Sequence, residues 1–83
     1  MYWIYSYIFK IKNSRLKYEC LARDDEIALK MAGLVAKLVP EYPPTTIKKK
    51  KKVWVDVPPY EIEQTYIRSL EEKCIKNGID LEK

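Results

Sequence analysis

From Trp3 to Ile11 every odd position is apolar: Trp3, Tyr5, Tyr7, Phe9 and Ile11. The even positions start apolar and end basic, as Tyr2, Ile4, Ser6, Ile8 and Lys10. A period of two marks a strand. A two-residue turn at Asn13-Ser14 folds the following segment back as a hairpin over 2–23. Lys12 then faces Arg15. Ile11 faces Leu16, Phe9 faces Tyr18, Tyr7 faces Cys20 and Tyr5 faces Ala22, a set that lies on one face and is apolar throughout. Lys10 with Lys17, Ile8 with Glu19, Ser6 with Leu21 and Ile4 with Arg23 form the other. A slip of one residue scrambles this separation, so the register is well specified.

The period changes after Arg23. Ile27, Met31, Leu34, Val35 and Leu38 recur at helical spacing and predict a helix over 24–39. Asp24 or Asp25 caps it, and Pro40 stops it. Gly33 inside it suits a close approach to the sheet. The segment from about 46 to 57 reads as a third strand. Val53, Val55 and Val57 share the core face, while Trp54, with Lys50 and Lys52, shares the other. Pro58-Pro59 open a last helix over 59–77. Ile62 or Glu63, Tyr66, Ile67, Leu70 and Cys74 form its inner side, and Asn77-Gly78 its stop, with Ile79 folding back. Asp80 to Lys83 reads as a frayed tail.

The order β-β-α-β-α predicts an α+β fold, one small domain over 1–79. A right-handed helical crossover returns the third strand parallel to the second and beside the first. The sheet is then three-stranded and antiparallel, in the order 2-1-3, with both helices on one face. The aromatic odd face is the expected core, because each ring buries roughly 150–250 Å². Helices on the even face would instead leave an aromatic platform for unpaired bases.

Charge adds a second theme. The chain of 83 residues carries a net +4, unevenly. Residues 1–57 hold twelve basic and six acidic side chains; the remainder holds four and six. Lys10, Lys12, Arg15 and Lys17 crowd the hairpin tip, where like charges directly opposite destabilise a strand pair. Five consecutive lysines, Lys48, Lys49, Lys50, Lys51 and Lys52, form the only low-complexity stretch. A 47% hydrophobic chain with seven tyrosines and two tryptophans argues against disorder.

Several chemistries lack support. There is no histidine and no C-x-x-C pair, which removes the commonest proton shuttle and a zinc site. Cys20 and Cys74 both fall on apolar faces and read as reduced core thiols. No P-loop, dinucleotide fingerprint or catalytic constellation is present, and no cofactor is implied. The start of the chain lacks a charged n-region and a small-residue cleavage site, and its apolar run is too short for a bilayer. An intracellular, soluble, cytoplasmic protein is expected, with a membrane partner disfavoured.

The first functional expectation is a non-enzymatic protein that contacts nucleic-acid phosphates, RNA or DNA, with weak sequence specificity. Lys10, Lys12, Arg15, Lys17, Lys48 to Lys52 and Trp54 are its expected contacts. The alternative is a small accessory or inhibitor protein, of a kind that phage and plasmid genomes encode, docking on an acidic protein surface. It would use the open sheet face, Tyr2, Ile4, Ile8, Leu21 and Trp54, which is equally a homodimer face. A plainer account makes the lysines a guard on an edge strand. An address signal or a lipid contact is a weaker one.

Overall fold

The computed structural model describes residues 1–79. Its elements are β1 (Tyr2–Ile11), β2 (Lys17–Ala22), α1 (Asp25–Leu38), β3 (Pro44–Val55) and α2 (Pro59–Lys76). The sheet order is β2-β1-β3, with antiparallel neighbours throughout. The hairpin register runs from Tyr5 opposite Ala22 to Lys10 opposite Lys17, as the alternation predicts.

Beyond that last pair the strands part. The two-residue turn does not form at Asn13-Ser14, and Lys12 and Arg15 are not ladder partners. The turn forms one residue earlier, over residues 11–14, with Asn13 as its third residue. Asn13 has φ 57°, and it is the only non-glycine of this kind among the described residues. The Ser14 amide donates to Ile11 O, and the Leu16 amide donates to the Ser14 hydroxyl. The Lys12 amide donates to Pro43 O, which ties the tip to the start of β3.

Both helices cover the odd face of β1. Tyr7, Phe9, Cys20 and Ala22 from the sheet form one core with Ala28, Met31, Ala32 and Leu34 of α1 and Ile67 and Cys74 of α2. Fully burying a ring such as Phe9 stabilises by about 2–3 kcal/mol, so these few side chains dominate a thin core. The cover does not reach the start of the strand: Trp3 remains 43% exposed and Tyr5 half-buried. Both cysteines are buried and free of a disulfide. Burial pushes the Cys20 thiol up to about 11, so it is an inert core group.

Asp24 caps α1, its carboxylate accepting the Ile27 amide at 3.0 Å. Gly78, at φ 71°, closes α2 with the Ile79 amide on Cys74 O and its own amide on Ile75 O, which returns Ile79 to the core. One helix position departs from expectation: Tyr66 is 39% exposed rather than inward. Of the two alternatives Ile62 and Glu63 for the inner side, Glu63 is the buried one, only 1% exposed. Its carboxylate accepts the Arg23 amide at 2.8 Å and the Arg23 Nε at 2.8 and 2.9 Å. The end of β2 is thereby clasped to the start of α2, and the buried charge has its partner.

Gly33 does not make a close approach. It is exposed, and a Cβ built on it meets no atom within 4 Å. Its only effect is the backbone entropy of a helical glycine. Gly33→Ala should therefore stabilise the domain by about 0.5–1 kcal/mol in denaturant unfolding. A loss of stability would mean that the position has a packing role.

Candidate anion-binding surface

The faces of the lysine run follow from its pairing with β1. Tyr2 pairs with Val55, Trp3 with Trp54, Ile4 with Val53, Tyr5 with Lys52, Ser6 with Lys51, Tyr7 with Lys50 and Ile8 with Lys49. The register then shifts, and Phe9 pairs with Ile47. Lys48 is the extra, bulged residue. Without the bulge Lys48 would face Phe9; with it, Ile47 packs against the core.

This pairing inverts the expected orientation of β3. Paired residues share a face, so Val53 and Val55 lie on the open face beside Ile4 and Tyr2. Trp54 lies on the helix side beside Trp3 and is not part of the open face. Lys50 and Lys52 go with it. The valine alternation alone would bury the valines, but only one arrangement puts Ile47 opposite Phe9. Val57 lies beyond the strand and is 45% exposed.

On the helix side, lysines of β3 alternate with rings of β1. Lys52 Nζ stands 4.4 Å from the centre of the Trp3 ring, and Lys50 Nζ stands 4.2 Å from that of Tyr5. Trp3 and Tyr5 meet edge to face at 5.2 Å. Lys50 also donates to Asp25 Oδ1 at 2.8 Å, and the Tyr7 hydroxyl donates to the same oxygen at 2.7 Å. Asp25, read only as a helix-start acid, thus joins the first turn of α1 to both β1 and β3. These two lysines, though exposed, have partners within the protein: Asp25 and the Tyr5 ring for Lys50, and the Trp3 ring for Lys52.

The open face and the hairpin tip hold the other lysines. Lys10 and Lys17 are direct cross-strand neighbours. Lys49 stands opposite Ile8 and Lys51 opposite Ser6, and both are exposed. Lys48 reaches the tip itself. A cleft of about 270 Å³ is lined by Lys10, Ser14, Arg15, Leu16, Lys17 and Lys48. The two basic clusters, separated by some thirty positions in sequence, therefore meet in space, and none of these six residues is acidic. Lys12, exposed at the same tip, lies outside the cleft. Glu19, opposite Ile8 on β2, is the acid on this face.

The apolar part of the open face is less bare than its sequence implies. Ile4 is fully buried, Ile8 and Leu21 are half-buried, and Tyr2 is 45% exposed. Val53 and Val55 fill the space beside Ile4 and Tyr2 that bare strand positions would leave open.

Titration directions agree with a structural role for the Tyr7–Asp25–Lys50 cluster. The Lys50 hydrogen bond, then that of Tyr7, holds the Asp25 carboxyl below its usual range. The same Asp25 contact raises Lys50. Burial, aided by Asp25, pushes the Tyr7 hydroxyl well above its usual range. Both cationic and phenolic groups thus keep their protons at neutral pH, the opposite of what a base or nucleophile needs. Among the described residues no acid, cysteine or histidine group is arranged to hold a metal ion, and no helix is long and apolar enough to cross a membrane.

The Asp25 contribution to stability is present above the usual carboxylate range and is lost as pH falls through the lowered pKa. The Lys50 contribution persists through the usual lysine range and is lost only as pH rises through the raised one. Asp25 should titrate below about 3.9 when followed by carboxyl NMR, and Lys50→Met should raise that value. An unmoved Asp25 titration would mean that the contact is not held in solution. Comparison with family models, with curated proteins and with solved structures found no match to this chain.

Proposed function

We propose that this protein is a non-enzymatic binding protein that holds the phosphate backbone of a nucleic acid at the hairpin tip and along the neighbouring lysines. The observation that carries the reading is the meeting of Lys48 with Lys10, Arg15 and Lys17 around one cleft. Four cations gathered there repel one another, and bound phosphates relieve that cost while releasing condensed counterions. Lys12 extends the surface at the tip; Lys49 and Lys51 extend it along the open face. Phosphate contacts fix position without reading bases, so recognition is of the backbone rather than of sequence.

Three of the expected contacts drop out of this footprint. Trp54 stands on the opposite face from Lys49 and Lys51, and Lys50 and Lys52 are engaged with Asp25 and the β1 rings. A second copy on the open face is disfavoured, since it would bring two basic surfaces together. An intracellular, cytoplasmic setting fits two buried thiols that form no disulfide.

Titration of fluorescent RNA and DNA oligonucleotides at low and moderate salt tests the reading. With about five phosphate contacts the logarithmic salt slope should be about −3.5 to −4.5. Arg15→Gln should weaken binding and make the slope shallower by about one. Trp54→Ala should leave the slope unchanged. No binding at low salt would sink the proposal.

A further inference from the structure

The outer edge of β3 is the feature that phosphate binding does not use. Among the described residues β3 lies at the margin of the sheet, with β1 on one side and no strand on the other. Its two halves differ. The half near the hairpin tip begins at Pro44 and is irregular at two places, leaving Thr45 and Lys48 unpaired. Proline and bulges are devices that stop a strand edge from accepting another strand. From Lys49 to Val55 the pairing with β1 is unbroken, and this half has neither device.

Lysines on an edge act as guards when they hang over it. Here two of them do not. Lys50 and Lys52 lean inward over the Tyr5 and Trp3 rings of the central strand, and Asp25 holds Lys50 there. On the helix side the edge is therefore left open beneath two fixed positive charges.

We infer that the Lys49–Val55 edge of β3 is a docking site for an extended acidic peptide segment of another protein, which adds to the sheet as a fourth strand. In an added strand, side chains alternate between the two faces and sit beside those of β3. Lys49 and Lys51 await acids on the open face, while Lys50 and Lys52 keep their Asp25 and ring contacts on the helix side. Val53, Val55 and Trp54, which is 64% exposed, offer apolar neighbours at the far end. The complementary segment thus has an acidic half and a β-branched or aromatic half. A second copy of this chain is the wrong occupant. Antiparallel pairing over the whole of Lys49–Val55 centres on Lys52, setting that lysine against itself with four cations from each chain along one seam. The site shares Lys49 and Lys51 with the proposed phosphate surface, but its ladder is made by the backbone of β3, which that surface does not use.

The experiment uses isotope-labelled protein and a short synthetic peptide with an acidic half and a Val/Ile half, made in both sequence orders. A control peptide of identical charge carries N-methyl groups on alternate amides, which blocks ladder hydrogen bonds on one edge; both alternations are made. The expected result is that one order slows exchange of alternate amides across Lys49–Val55 by about tenfold or more and gives cross-strand NOEs to β3. One N-methylated form should lose this. Equal binding of both methylated forms would reduce the contact to charge alone and overturn the proposal. So would no binding by either order, or β3 protection that appears without peptide and tracks self-association in sedimentation. Oligonucleotide binding in the Arg15→Gln protein reads the tip and is unaffected by either outcome.

Discussion

Ile47 faces Phe9 in the core while Lys50 and Lys52, a few residues on, lie over the rings of Tyr5 and Trp3. Both can be true only because Lys48 is left unpaired between them. An uninterrupted alternation would set Lys48 against Phe9, a charge against a fully buried ring. The bulge resolves that conflict and in doing so allots every lysine of the run. Lys48 is turned toward the hairpin tip, Lys49 and Lys51 toward the open face, and Lys50 and Lys52 toward the aromatic column of β1.

The charge run thus divides into cations with partners inside the protein and cations without such a role. Lys50 ties α1 to β3 through Asp25, closing a path that also includes the buried Tyr7 hydroxyl. Arg23 and Glu63 make a matching link between the end of β2 and α2. In so small a domain two such links hold helix ends that a thin core cannot fix alone. Arg15, Lys10, Lys17 and Lys48 have no comparable place in the fold's logic. Their gathering is what the proposed phosphate surface rests on.

The hairpin register was legible because the apolar and polar sets of β1 and β2 separate cleanly only one way, and the order 2-1-3 followed from the connection rule. The face of β3 was not legible. Five identical residues contain no period, and the valine alternation beyond them points to the wrong face once a bulge intervenes. Ile47 was the available clue, an isolated apolar residue just before the run. The hairpin turn was placed one residue late: Asn13-Ser14 resembles the centre of a tight turn in composition, but the Ser14 amide closes the turn on Ile11 O, with Asn13 as its third residue. The basic residues of the candidate site were visible individually. Their division was not, since Asp25 and the rings that hold Lys50 and Lys52 are distant in sequence, as is Arg23 from Glu63.

The most direct measurement of this division compares Lys48→Gln with Lys50→Gln in the salt dependence of oligonucleotide binding. Both changes remove one positive charge from the same run, so net charge cannot separate them. Lys48→Gln should make the logarithmic salt slope shallower by about one, while Lys50→Gln leaves it unchanged and lowers stability instead. Equal changes of slope in the two variants would contradict the account, because the run would then act as one undivided cationic tract.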